Sequence, residues 1–258
     1  MNGLERKQYI TRILEETGVV NIAELATELN VSSMTIRRDL ARMEQEGIVK
    51  TEYGGAVLNN TALFESSILQ KQRIYAKEKR AIGKHCADQI KSDETIFLDA
   101  GTTPAEIAQC LVYRKNLVVM TNSLLVANYL AKADGIRLIM CPGIFREHSM
   151  AFMGQSTDEF TSNFQIDKLY LGVEGIDEHG VSVPDLTDGG TKRSLISCAR
   201  RIICVADSSK FGKHWTFNIC PLSSIDEIVT DSGIDPSMAE RIRATGITLT
   251  IVETDKTE

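Results

Sequence analysis

What most constrains the fold of this chain is a series of short, almost continuously apolar runs, each followed by a polar break and then a helical pattern. The runs are Thr95-Ile96-Phe97-Leu98-Asp99, Leu117-Val118-Val119-Met120, Arg137–Cys141, Lys168–Gly172, Ile202–Ala206, Glu227–Thr230 and Thr248–Val252. Helical patterns occupy Lys77–Ile90, Pro104–Leu111, Leu124–Ala133 and the stretches near 191–200 and 236–245. A strand that is apolar at successive positions needs cover on both faces, which is the arrangement of a parallel sheet between helices. The expected class is therefore α/β, with a Rossmann-like parallel-sheet domain over residues 77–258. Ligands of such sheets sit beyond the carboxyl ends of the strands. The polar residues at those ends are the candidates for a site.

Four ends stand out. Asp99-Ala100-Gly101-Thr102-Thr103-Pro104 places a glycine and two threonines between a strand and a helix. Amides, hydroxyls and the positive end of the helix dipole there suit a phosphate. The same residues also read as a capping box, Thr103-Pro104-Ala105-Glu106 with proline at N1, which needs no ligand. Thr121-Asn122-Ser123 reads equally as a helix cap. In Gly172-Val173-Glu174-Gly175-Ile176-Asp177 the glycines allow tight turns. Asp207-Ser208-Ser209-Lys210-Phe211-Gly212 sets a carboxylate and an ammonium on one rim, a pair that is more often a surface salt bridge than a site. Four polar ends on one sheet favour a ligand cleft more than any one of them does.

The N-terminal residues follow another pattern. Leu4–Glu16 reads as a helix burying Tyr9, Ile10, Ile13 and Leu14, stopped by Thr17-Gly18. After the extended pair Val19-Val20, Asn21-x-x-Glu24 has capping-box spacing. The helix it opens presents Ile22, Leu25, Ala26 and Leu29 and stops near Asn30. Ser32 or Ser33 caps a third helix, which runs to Glu46 and ends at Gly47. At 100° per residue its Ile36, Leu40 and Met43 form one apolar seam. The far side carries Met34, Arg38, Ala41 and Gln45, flanked by Arg37, Thr35 and Arg42. Hydroxyls, guanidinium groups and a small alanine suit the DNA major groove. Two short helices joined by a tight turn make a helix-turn-helix. Ile48–Thr51, the turn Glu52-Tyr53-Gly54-Gly55 and Ala56–Leu58 then make a hairpin, the wing.

Arg6-x3-Ile10-x3-Leu14, then seventeen residues, then Ser32-x2-Thr35-Ile36-Arg37-Arg38-Asp39-Leu40 resembles the signature of the DeoR family of bacterial transcriptional regulators. The Asp-Ala-Gly-Thr-Thr, Thr-Asn-Ser, Gly-Ile-Asp and Asp-Ser-Ser-Lys-Phe-Gly segments extend the resemblance over nearly the whole chain. It implies that the helix from Ser33 reads operator DNA through Ser32, Ser33, Met34, Thr35, Arg37, Arg38 and Arg42, with Lys50 on the wing. It implies a C-terminal domain similar to ribose-5-phosphate isomerase and the CoA transferases that senses phosphorylated sugars. Gly101, Thr102 and Thr103 would then hold phosphate, and Asp99, Thr121, Asn122, Gly175, Asp188, Lys192, Asp207 and Lys210 would line the cleft. The chain departs from the family at Thr51, commonly arginine, and near Tyr53, commonly basic or histidine. Gly143-Ile144 replaces Gly-Gly, Pro104 replaces a third threonine, and Asp188-Gly189 replaces Glu-Ala, changes expected to reshape the cleft.

Composition narrows this reading. The chain carries 29 − 35 = −6 net charge, and residues 1–58 carry 7 − 9 = −2, so no general polyanion binder is expected. Only the cluster Arg37, Arg38 and Arg42 against Asp39 is locally positive, at 3 − 1 = +2. Binding is expected to be specific, by a homodimer or homotetramer carrying two reading helices about 34 Å apart. No run approaches the ~20 apolar residues of a membrane helix, and no signal-peptide core opens the chain. The six cysteines and four histidines show no ligand spacing, so no metal and no cofactor are expected, and scattered thiols suit the cytoplasm. The expected domains are 1–58 for DNA, 59–76 as linker and 77–258 for effector and assembly. The function expected is a repressor of a sugar-metabolism operon, switched by a phosphorylated sugar. The alternative is a sugar-phosphate isomerase or transferase with a DNA-binding appendage, using Asp99, Asp188 or Glu174 as base and Lys192 or Lys210 as stabiliser.

Overall fold

In a computed structural model the chain divides into two compact units, residues 1–66 and 67–258. The structure describes residues 2–17, 19–46, 48–52, 54–58 and 68–254. The stops expected at Gly18 and Gly47, Tyr53 of the wing and residues 59–67 of the linker lie outside that description.

The first unit runs α1 (Gly3–Thr17), β1 (Val19–Asn21), α2 (Ile22–Glu28), α3 (Ser33–Gln45), β2 (Val49–Glu52) and β3 (Gly55–Leu58). Asn21 caps α2 by accepting from the Ala23 and Glu24 amides. Ser32, not Ser33, caps α3 by accepting from the Thr35 amide at 3.1 Å. A side-chain cap of this kind is worth ~1 kcal/mol. The seam forms as expected, with Ile36, Leu40 and Met43 buried against Ile10, Leu14 and Leu25. Val19-Val20 becomes an edge strand, giving an antiparallel sheet in the order β1-β3-β2. Glu52 and Gly55 pair across β2 and β3, so the wing turn is tighter than the expected four residues. Gly55 is required there, because a Cβ would lie 2.1 Å from the Val20 carbonyl oxygen.

The second unit opens with α4 (Ile68–Arg73), the helical end expected of the linker, and α5 (Ala76–Asp88). Then follow β4 (Thr95–Leu98), α6 (Thr102–Leu111), β5 (Leu117–Thr121), α7 (Leu124–Leu130), β6 (Ile136–Met140), β7 (Ile144–Arg146), β8 (Ala151–Met153) and α8 (Gln155–Thr161). The chain continues through β9 (Lys168–Gly172), β10 (Gly175–Asp177), β11 (Gly180–Val183), α9 (Leu186–Cys198), β12 (Ile202–Val205), β13 (Phe217–Cys220), β14 (Glu227–Asp231), α10 (Pro236–Ala244) and β15 (Thr248–Val252). All seven expected strands join one parallel sheet, in the order β15-β14-β12-β9-β4-β5-β6.

Alternate strand residues feed two separate cores. Phe97, Met120, Leu169, Leu171 and Cys204 face one, with Leu195 of α9 and Ile242 of α10. Ile96, Leu98, Val119, Tyr170, Ile203 and Val205 face the other, with α5, α6 and α7. This is why the strands read as continuous apolar runs. Two small sheets, β7-β8 and β10-β11-β13, and the helix α8 were not anticipated. The helix expected near 191–200 starts earlier, at Leu186, where Asp185 caps it by accepting from the Asp188 amide.

Candidate functional site

On the first unit, the side of α3 opposite the seam is exposed at Ser33, Met34, Arg37, Arg38, Ala41 and Arg42, with Lys50 exposed on β2 and Thr35 half-buried. Ser32 is exposed at the helix start, its hydroxyl 2.9 Å from that of Thr35. Asp39 does not share this face. It is buried and takes the Arg6 guanidinium at 2.8 Å. The local charge therefore becomes +3 from Arg37, Arg38 and Arg42, in place of the +2 counted along the sequence. The Arg6–Asp39 pair pins α3 to α1. Thr51 has an equally local role. Its amide and hydroxyl both donate to the Glu44 carboxylate at 2.7 Å, tying the wing to α3. Hydrogen bonds from the Thr51 hydroxyl, then its amide, hold the Glu44 carboxyl below its ordinary range.

On the second unit, the strand ends assemble a buried polar cluster. Asp99, fully buried after β4, accepts from the Ala100 amide (2.7 Å), the Gly172 amide (3.1 Å) and the Lys192 ammonium (2.5 Å). The Lys192 ammonium lies 3.4 Å from Asp188, one turn earlier on α9. Burial works against that charge, but Asp188 and Asp99 together outweigh it and raise the ammonium above its ordinary value. Beside the cluster lies the start of α6. Gly101, not Thr103, is its N-cap, with no side-chain cap, so the expected capping box is absent. Proline falls at N3 because the helix begins two residues earlier than that box requires. The Ala105 amide bonds the Gly101 carbonyl. The Gly101, Thr102 and Thr103 amides have no intrahelical acceptor, as at any helix start.

Thr121 is fully buried, its hydroxyl donating to the Leu98 carbonyl (2.7 Å) and accepting from the Ser123 amide (3.0 Å). Its neighbour Asn122 is also fully buried, and neither side-chain polar atom has a hydrogen-bond partner among the described residues. An unpaired buried amide costs ~1–3 kcal/mol. Asp207 is buried after β12 and accepts from Ser209, while Lys210 pairs with Glu174 at 2.8 Å. Gly175 lets the chain pass closely, since a Cβ would meet the Lys213 carbonyl oxygen at 2.5 Å and Trp215 at 2.9 Å.

The sequence reading missed the lysines behind this rim. Lys71 of α4 reaches Glu174 at 2.5 Å. Lys79 of α5 is buried, donates to the Lys71 and Ile74 carbonyls, and lies 3.9 Å from Asp207. Its signal was available, for Lys79 shares the buried helical stripe of Ile82, Gly83 and Cys86. Two departures also resolve. Gly189 faces the Phe217 ring, which a Cβ would meet at 2.0 Å. Ile144, expected to reshape the cleft, has 78% of its surface exposed on β7.

A family model described as a DeoR-like helix-turn-helix domain matches residues 6–62, and one described as a DeoR C terminal sensor domain matches residues 74–232. The chain belongs to the DeoR family. Among similar members, the glycerol-3-phosphate regulon repressor of Escherichia coli K12 is 33% identical, over 90% of this chain and 92% of that one. The lactose phosphotransferase system repressor of Staphylococcus epidermidis is 31% identical, over 95% and 98%. The transcriptional repressor GlcR of Bacillus subtilis is 30% identical, over 98% and 97%. A ribose 5-phosphate isomerase from Methanocaldococcus jannaschii covers 53% of this chain and 55% of its own, at 15% identity and TM-score 0.39, too slight to carry an argument about chemistry. Like its relatives, this DeoR-family chain is a DNA-binding transcriptional regulator and not an enzyme. Asp99 has three donors, and the burial of the Glu174 carboxyl is outweighed by Lys210 and Lys71, which hold it well below the ordinary carboxylate range. Among the described residues no helix is long and apolar enough to cross a membrane.

Proposed function

We propose that this regulator is a cytoplasmic repressor of a sugar-metabolism operon and releases its operator when a phosphorylated sugar occupies the cleft at the strand ends. Residues 1–58 bind DNA, 59–76 link, and 77–258 sense the effector and assemble a homodimer or homotetramer with two α3 helices on successive major-groove faces. Ser32–Thr35, Arg37, Arg38, Arg42 and Lys50 contact operator. The phosphate rests on Gly101, Thr102 and Thr103, where helix-start amides and dipole suit an anion. Asn122, Asp188, Lys192, Asp207 and Lys210 face the sugar, with Asp99 fixing Lys192 and Gly175 shaping the rim.

The observation that carries the ligand reading is Asn122, a fully buried amide with both polar atoms unpaired at the end of β5, where Thr121 pairs with Leu98 of β4. A sugar hydroxyl, both donor and acceptor, satisfies it. The names of the relatives, repressors for glycerol 3-phosphate and a sugar phosphotransferase system, point to the same class. The test is a panel of sugar phosphates screened by thermal shift, with hits retested for release of the protein from its own promoter region. A hit that raises the melting temperature and releases DNA supports the proposal. Melting temperatures unmoved across the panel would leave a regulator whose second unit serves assembly alone.

A further inference from the structure

Residues 172–174 connect two charged clusters. At one end the Gly172 amide donates to Asp99, the partner of Lys192. At the other the Glu174 carboxylate takes Lys210 of the Asp207–Lys210 turn and Lys71 of α4. The Glu174 backbone is fixed as well, since its amide bonds the Ser182 carbonyl and its carbonyl accepts from the Trp215 indole at 2.9 Å. Helix α4 follows directly on residues 59–67, the covalent path from the DNA-binding unit. Six residues long, it cannot persist as an isolated helix. Its C-terminal carbonyls are met by Lys79, and Lys71 is its ion pair to the rim.

We propose that the Lys71–Glu174–Lys210 ion-pair chain relays occupation of the cleft to α4 and so to the DNA-binding unit. This rests on the effector reading above. An anion drawn to Lys210 competes with Glu174 for the ammonium. Any displacement of Asp99 or Gly172 moves the short segment that carries Glu174. Both events weaken the hold on Lys71, and α4 loosens from the rim. A two-state element biased from two sites is what allosteric coupling requires.

The test uses the full-length protein with Lys71→Met and, as the conservative control, Lys71→Arg. Trp215, the only tryptophan, reports the state of the Glu174 segment by its emission. With no sugar phosphate present, Lys71→Met is expected to weaken operator binding at least tenfold and to speed amide exchange in 68–73. Melting temperature and Trp215 emission should stay near wild type, and Lys71→Arg should restore both readouts. Operator affinity within twofold of wild type in Lys71→Met, with exchange in α4 unchanged, would overturn the proposal. A separate titration of the wild type with glucose 6-phosphate, fructose 6-phosphate and glycerol 3-phosphate tests the effector reading. Flat Trp215 emission and unchanged melting there would count against that reading, while the ligand-free variants still decide the coupling.

Discussion

Lys192→Met separates the buried charge cluster from a surface salt bridge. The Lys192 side chain is 3% exposed and its partner Asp99 is 0% exposed. An exposed pair contributes ~0–1 kcal/mol. Removing one partner of a buried pair leaves an uncompensated charge and costs ~3–5 kcal/mol. Asp99 keeps the Ala100 and Gly172 amides, which places the expected loss toward the lower half of that range. For a unit of this size 1 kcal/mol moves the melting temperature by about 2–4 °C, so a fall of roughly 6–16 °C is expected. Pairing Lys192→Met with Asp99→Asn removes the fully buried one of the two carboxylates that lose their ammonium, Asp99 and Asp188, and should recover part of it. The measurement is calorimetric or circular-dichroism melting of the three proteins at pH 7. Linkage adds a pH signature. The folded lysine has a raised pKa, so its stabilisation is fully present below the ordinary value of 10.5 and is lost as pH rises beyond it. A fall under ~3 °C in Lys192→Met, or no recovery in the double variant, would show that this pair behaves as a surface salt bridge.

Three further outcomes are expected. Arg38→Ala should weaken operator binding by ~1–3 kcal/mol, roughly 5- to 150-fold, with melting unchanged because the side chain is exposed; a gel shift measures it. Gly189→Ala, which restores the family's residue, should destabilise by about 1–3 kcal/mol through its clash with Phe217, and Phe217→Leu in the same chain should relieve part of that on urea titration. Lys79, lowered to about 8 chiefly by burial with Asp207 opposing, should show a side-chain NMR titration midpoint near that value. Between it and 10.5 the folded state sheds a proton the unfolded chain keeps, so this lysine makes stability rise with pH across that window.

The sheet was legible because β4, β5, β9, β12 and β14 are covered on both faces, so the central positions of each strand are apolar in succession. Helix α3 was legible because Ile36, Leu40 and Met43 repeat at helical spacing. Less visible were elements whose order comes from tertiary contacts. The strands β7, β8, β10, β11 and β13 are three or four residues long, too short for a period to show. The first turn of α9 carries Asp188, Gly189 and Gly190, poor helix formers that a cap and Phe217 hold in place. Charged residues showed little of their placement in the sequence. Asp39 offset the arginines in the local charge count, but pairs inward with Arg6. Lys79 sits in the charged run Lys77-Glu78-Lys79-Arg80, yet is buried on the stripe of Ile82 and Cys86. At the cleft, spacing alone could not choose between a capping box at Thr103 and an uncapped start at Gly101. That choice depends on where α6 begins, and Gly101 settles it with a φ of 152° that suits glycine.

On the proposed function, α3 binds operator and a phosphorylated sugar at the start of α6 releases it. Fluorescence anisotropy of labelled promoter DNA, titrated with the sugar phosphate that raises the melting temperature, tests it in wild type and Thr102→Ala side by side. Expected are equal affinity for DNA without the sugar phosphate, full release of the wild type, and a release curve for Thr102→Ala shifted to at least tenfold higher effector concentration. Superimposable release curves, or a Thr102→Ala protein that no longer binds DNA at all, would contradict it.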